Sequence, residues 1–339
     1  MICYPLFSSD FRGGLQVTAG KMMDLSEAVS TFIKDGAHIS FGGFTINRQP
    51  MAVAYEIIRQ GIKDLHVYMH SGGQALDPLI GAGCVKAVEI AYGGNGRFAP
   101  TCVRFRKAIQ SGQIMVEDYT NYQMAMRFWA GAVGVPFAPV TSSTGTDIVK
   151  KWGFPRDFRR NQERIPDQKL VIIDNPFQKD AKEKVVLVPA INPDVTIIHV
   201  QKATPQGTAR IEGLTFADVE QAKAAQYVIV TCEELVPPEE LRAEPDRNQI
   251  PFFLVDAVVL LPYGAHPTAC YGYYDYDAKH LNYYREIASN DDDFKRYLDE
   301  YIYSVRGHQG YLDKIGREAL SEIKADQQFG YALGLQRRR

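Results

Sequence analysis

Apolar positions along this chain switch repeatedly between short continuous runs and runs spaced three and four residues apart. The continuous runs, rich in Val and Ile, predict strands at 38–41, 65–69, 85–91, 115–117, 170–173, 185–188, 195–199, 227–231 and 253–261, with a further short strand after Pro136. The three-four spacing predicts a first helix through Leu25, Ala28, Val29, Phe32 and Ile33, closed by Asp35-Gly36, and others at 51–59, 103–110, 121–132 and 216–224. Polar helices from 278 to 325 would pack on the sheet edge or on a partner. Strands and helices alternate, and strand runs apolar on both faces belong to parallel sheets covered on both sides. The fold class is therefore α/β, an open, mostly parallel sheet in which ligands collect beyond the carboxyl ends of the strands.

Composition narrows the class. With 339 residues and 45% hydrophobic content, the chain can bury a substantial core. The net charge of −2 leaves no basic footprint for nucleic acid. No apolar run approaches the roughly 20 residues of a membrane span. Five scattered cysteines, Cys3, Cys84, Cys102, Cys232 and Cys270, form no C-x-x-C pair, which suggests a reducing compartment and predicts a cytoplasmic protein without a metal site. Residues 1–21 lack the pattern of a signal peptide and are expected to be an extension outside a domain spanning 22–325. A tail, 326–339, would end in a disordered Arg337-Arg338-Arg339.

Three glycine loops carry the candidate chemistry. Gly42-Gly43-Phe44 follows the first predicted strand and leads through Thr45, Asn47 and Arg48 to Pro50 at a helix start. Ser71-Gly72-Gly73-Gln74 follows the second strand, and Gly93-Gly94-Asn95-Gly96 the third. Paired glycines serve tight turns, or they let a reacting carbonyl approach bare N–H groups. If the three strands are parallel, the loops share one sheet edge and form a cleft. Thr120 and Gln123 have capping-box spacing, which makes Asn121 the first residue of a helix, at the positive end of its dipole. Thr141-Ser142-Ser143-Thr144 is a hydroxyl-rich loop with solvation as its plainer explanation. His70, His199 and His266 have neither metal-ligand spacing nor a serine partner and read as structural. Residues 150–184 form a charged surface excursion, either a solvated face or a basic rim for phosphates.

Asp35-Gly36, a strand, Gly42-Gly43-Phe44 and then Gln49-Pro50 resemble the first-subunit signature of family I coenzyme A transferases. Ser111-Gly112-Gln113, Asp174-Asn175-Pro176-Phe177, Val230-Thr231-Cys232-Glu233-Glu234 and Val255-Asp256-Ala257 follow in the same order as in that subunit. Tyr263-Gly264-Ala265-His266-Pro267 is similar to the glutaconate branch. The resemblance implies that coenzyme A is a substrate, that no cofactor is permanently bound, and that the catalytic glutamate comes from a beta subunit. No Ser-Glu-Asn-Gly-type run carries that glutamate in this chain. It further implies that Gly42, Gly43 and Asn121 stabilise an oxyanion. Phe44, Thr45, Asn47, Arg48, Ser71, Gly72, Gly73, Gln74, Asn95, Thr141 and Ser142 would contact acyl-CoA and a carboxylic acid. Arg48 would pair with the far carboxylate of a dicarboxylic acyl group, or else with a surface acid. Related chemistries on this scaffold are acyl-CoA hydrolysis and decarboxylation. A non-catalytic assembly subunit is the other reading.

Overall fold

The computed structural model describes residues 20–179 and 183–335. The N-terminal extension up to residue 19 and the Arg337-Arg338-Arg339 terminus expected above lie outside the described residues. Eleven strands are present among them: β1 (His38–Phe41), β2 (Leu65–Gly72), β3 (Val85–Gly93), β4 (Met115–Asp118), β5 (Phe137–Val140), β6 (Val171–Asp174), β7 (Lys184–Pro189), β8 (Val195–Ala203), β9 (Ala209–Arg210), β10 (Tyr227–Leu235) and β11 (Ala257–Leu260). The main sheet runs β11-β10-β8-β1-β2-β3-β4, with every neighbour parallel, and β9 pairs antiparallel to β8. This is the open parallel sheet that the alternating pattern predicts.

All four residues of β1 are buried, and their alternation divides the core. Ile39 and Phe41 join the large apolar cluster beneath the helices Leu25–Phe32, Met51–Gln60, Leu76–Gly81 and Val103–Gln110. His38 and Ser40 point to the opposite face. There Gln221, on the helix Asp218–Ala224, donates to Ser40 Oγ at 2.6 Å, which accounts for a serine in an otherwise apolar strand. The helix Asn121–Val133 packs beside Asp218–Ala224 on this face. Strands β5, β7 and β6 form a separate antiparallel sheet with its own small core.

Two expectations need correction. The strand at 253–261 begins later, at Ala257, because Pro251 turns the chain into a 3₁₀ turn over Phe252–Leu254. The helices between 278 and 325 cover the first helical layer rather than a sheet edge: Tyr284, Tyr297 and Tyr311 are buried in its cluster. Part of the expected tail is also packed, with Ala332 buried and its N–H donating to Asp275 Oδ2 at 2.7 Å. No described helix is long and apolar enough to cross a membrane.

Candidate active site

Because β1, β2 and β3 are parallel neighbours, the three glycine loops meet at one carboxyl edge. They brace one another. Thr45 N–H donates to Ser71 O at 3.2 Å, Gly94 N–H to Gly72 O at 3.1 Å, and Ala75 N–H to the Gln49 side chain at 2.7 Å. A Cβ on Gly73 would sit 2.2 Å from Thr45 O, so the second loop can lie against the first only with glycine there. Gln74 and Asn95 are buried and bonded to each other at 2.6 Å. This bond braces the second loop against the third and leaves Gln74 Nε2 and Asn95 Oδ1 without a hydrogen-bond partner among the described residues.

On the β1–β8 side the edge is closed. Gly42 N–H donates to Ile197 O at 2.8 Å and Gly43 N–H to Asp218 Oδ1 at 2.8 Å, so the two amides expected to hold an oxyanion already have acceptors. Gly43 has φ of +78°, and a Cβ there would meet Asn47 O at 2.5 Å. Arg48 is buried: Nη1 donates to His199 O at 2.7 Å and lies 2.7 Å from Asp218 Oδ2, while Nη2 donates to Leu214 O at 2.9 Å. Its charge is thus matched inside the chain by the buried Asp218 rather than by the surface acid expected as its other partner. Thr45, also buried, has φ of +49°.

On the β2–β4 side the edge is open. Thr120 caps the helix Asn121–Val133 with the reciprocal capping box predicted, both bonds at 3.0 Å. Asn121 is the exposed first helical residue, and Ser71 Oγ donates to its Oδ1 at 3.2 Å. Gln123 Nε2 donates to Ser143 Oγ at 2.7 Å, which ties the hydroxyl loop to the same helix end. In that loop Thr141 is exposed, and the buried Ser142 Oγ has no partner among the described residues. His70 lies beside them, its Nδ1 3.3 Å from Ser71 Oγ. Burial lowers the His70 pKa, against a hydrogen bond to the Asn121 backbone and the charge of Asp218 that favour protonation. Phe44 links the two sides, with its ring centroid 5.8 Å from His70 and stacked 4.8 Å from Phe216. Beyond Phe44 a cavity of about 780 Å³ opens, walled by Ile46, Asn47, Leu214, Phe216 and Tyr271 among others.

The helix bearing Asn121 is seated by charge. Arg127 Nη2 pairs with Glu89 at 2.6 Å, and Glu89 also holds His66 Nε2 at 2.9 Å, all three side chains being buried. Burial alone would raise the Glu89 pKa, but Arg127 and His66 outweigh it and bring it down to about 2.

Sequence reasoning missed Asp218 and Phe216, which come from a distant turn with no motif. It also set aside His70, although its place immediately before Ser71-Gly72-Gly73 was legible. His266 is structural as expected, bonded to Tyr311 and Asp277. His199 Nε2, Glu233 and Cys270 gather three metal-ligand atoms within 4.8 Å. However, both His199 nitrogens are hydrogen-bonded, to Thr231 and Glu233, and Glu233 accepts from Tyr274 OH and Tyr263 N–H. The cluster is thus a satisfied hydrogen-bond network.

Comparison with known proteins fits this geometry. The family profile described as Coenzyme A transferase matches residues 22–261. The chain is 42% identical over 315 residues to the first subunit of glutaconate CoA-transferase from Acidaminococcus fermentans, covering 93% of this chain and 98% of that protein. It is 32% identical over 298 residues to the first subunit of 3-oxoadipate CoA-transferase from Pseudomonas knackmussii, covering 87% and 98%. The crystal structure of glutaconate coenzyme A-transferase from A. fermentans superposes with a TM-score of 0.89 at 43% identity, over 92% of this chain and 98% of that one.

Proposed function

This chain belongs to the coenzyme A transferase family as a transferase chain of the first-subunit type, and from that premise we propose that it is the alpha half of a heteromeric acyl-CoA:carboxylate transferase acting on glutaconate or a related dicarboxylic acid. The observation that carries this reading is the exposed Asn121 carboxamide, held by Ser71 at the start of a helix on the open sheet edge. A donor fixed there can stabilise the charge that develops on a thioester oxygen.

In the proposed reaction the thioester carbonyl is attacked by a glutamate of the beta subunit, which expels CoA thiolate and leaves a mixed anhydride. The thiolate then attacks the glutamyl carbonyl, the first acid departs, and a second acid reverses both steps. Coenzyme A enters and leaves as substrate, and no permanently bound cofactor takes part. The two relatives named above are named for dicarboxylic acids, and the aromatic cavity beyond Phe44 offers room for the acyl chain. Tyr276, on the wall of that cavity, accepts from Arg97 Nη2 at 3.0 Å, which makes Arg97 our candidate for reading the far carboxylate.

The test uses the chain copurified with its partner. Acyl-CoA treatment should produce a thioester cleavable by hydroxylamine, located by mass spectrometry in the partner. Arg97→Gln should penalise five-carbon dicarboxylic acids more than acetate. Transfer by the purified single chain would overturn the two-subunit reading. Release of acid or carbon dioxide without an acceptor would replace transfer by hydrolysis or decarboxylation.

A further inference from the structure

The charged excursion that the active site leaves unused has a built centre. Arg159 is buried, donates to Pro166 O at 2.8 Å and pairs with Glu117 of β4. Its guanidinium lies 5.3 Å from the centre of the Trp152 ring and backs the indole, yet Trp152 keeps 37% of its surface open. Trp152 then forms the wall of a cavity of about 390 Å³ together with Arg156, Arg160, Asp167 and Gln168. Arg156 and Arg160 stand four apart on the helix Arg156–Arg160, so their side chains share one face. Neither is in an ion pair among the described residues.

We propose that this cavity binds the phosphorylated nucleotide end of coenzyme A, an inference that rests on the coenzyme A reading of the active-site edge. An exposed indole backed by a guanidinium offers a stacking face to a purine ring. Two adjacent guanidiniums match phosphate oxygens in charge and in planar donor geometry. Asp167 and Gln168 supply acceptors suited to an exocyclic amine.

Location supports the assignment. Gly153 N–H donates to Glu117 Oε1 at 2.8 Å, and the Lys169 ammonium donates to Asp118 Oδ1 at 3.0 Å, so the excursion is pinned to β4. The chain runs from β4 straight to Asn121, placing Glu117 and Asn121 at most about 14 Å apart along an extended backbone. The thioester edge at Asn121 and the cavity at Trp152 are thus both anchored to the carboxyl-terminal half of β4.

The decisive measurement is the ratio of kcat/KM for acyl-CoA to that for the matching acyl-pantetheine, which lacks the nucleotide, in the two-subunit complex. The double variant Arg156→Gln/Arg160→Gln should lower this ratio at least tenfold, and a change within twofold overturns the proposal. If the native complex turns over neither thioester, the transfer reading has failed and binding decides the subsite alone. The chain has two tryptophans, so comparing the complex carrying Trp129→Phe with the one carrying Trp129→Phe/Trp152→Phe isolates the signal of Trp152. Titration with adenosine 3′,5′-bisphosphate should change its fluorescence saturably, and the two glutamines should abolish the change. A flat titration would overturn the nucleotide site.

Discussion

The two sides of the active edge carry similar residues and do different work. Beside β1, the glycine amides, Arg48 and Asp218 satisfy one another in the interior. Beside β2 and β4, Asn121, Ser71, His70 and Ser142 are loosely bonded, and Asn121 faces solvent. A glycine loop at the end of a parallel strand is thus only a permissive geometry. Whether its donors are available depends on which distant side chain reaches it, and Asp218 reaches only the first loop.

The sharpest break of this comparison is Arg48→Gln. Removing one member of a buried ion pair strands the other charge and costs about 3–5 kcal/mol. Chemical denaturation should therefore register a large loss of stability, with little change in preference between acetate and dicarboxylic acids among molecules that remain folded. Intact stability with a selective loss of dicarboxylic substrates would return Arg48 to the substrate.

Asn121→Ala tests the open side. Loss of one preorganised donor costs about 2.7–4 kcal/mol of barrier, so kcat of the complex should fall by two to three orders of magnitude while the denaturation midpoint barely moves. A near-native kcat would make Asn121 an ordinary first helical residue.

The contrast also marks what the sequence could and could not disclose. The strand order of glycine loops, the capping box at Thr120 and the parallel sheet follow from local periodicity and cap chemistry, which act over a few residues. The partners of Gly43 and Arg48 could not be read, because Asp218 lies far along the chain and enters only through the packing of its helix on β1. Arg127 and Glu89 stand 38 residues apart on a helix and a strand, with no motif that joins them. Only the fold makes them a buried pair.

That pair predicts a pH dependence for the seat of the open side. Glu89 has its pKa lowered to about 2, so its contribution is present above about pH 4.5 and is lost as the pH falls toward 2. His38, lowered to about 3 by burial and by neighbouring His66, is held neutral, and protonation of the unfolded chain below about pH 6.5 acts in the same direction. Unfolding free energy should therefore decline on acidification from about pH 6.5 and more steeply below about pH 4.5, by on the order of 1.4 kcal/mol per pH unit for each group. His38→Gln should flatten the first part of this decline. An unaltered slope would mean that His38 titrates alike in the folded and unfolded chain.

The smallest effect is the most discriminating. Ser71 is buried, and its hydroxyl donates to Asn121 Oδ1 at 3.2 Å, leaving the carboxamide N–H₂ end for a substrate oxygen. Losing one such hydrogen bond costs about 0.5–1.5 kcal/mol, so Ser71→Ala should lower kcat by up to about tenfold, with a smaller change in KM. Ser71→Thr, which keeps the hydroxyl, should restore most of the loss. If Ser71 acts only by orienting Asn121, its deletion has nothing left to disturb once the carboxamide is gone, and the two losses cannot add. The double variant Ser71→Ala/Asn121→Ala should then be no slower than Asn121→Ala alone. A further tenfold loss in the double variant would instead mean that Ser71 meets the reacting group itself, and that the open side holds two independent donors.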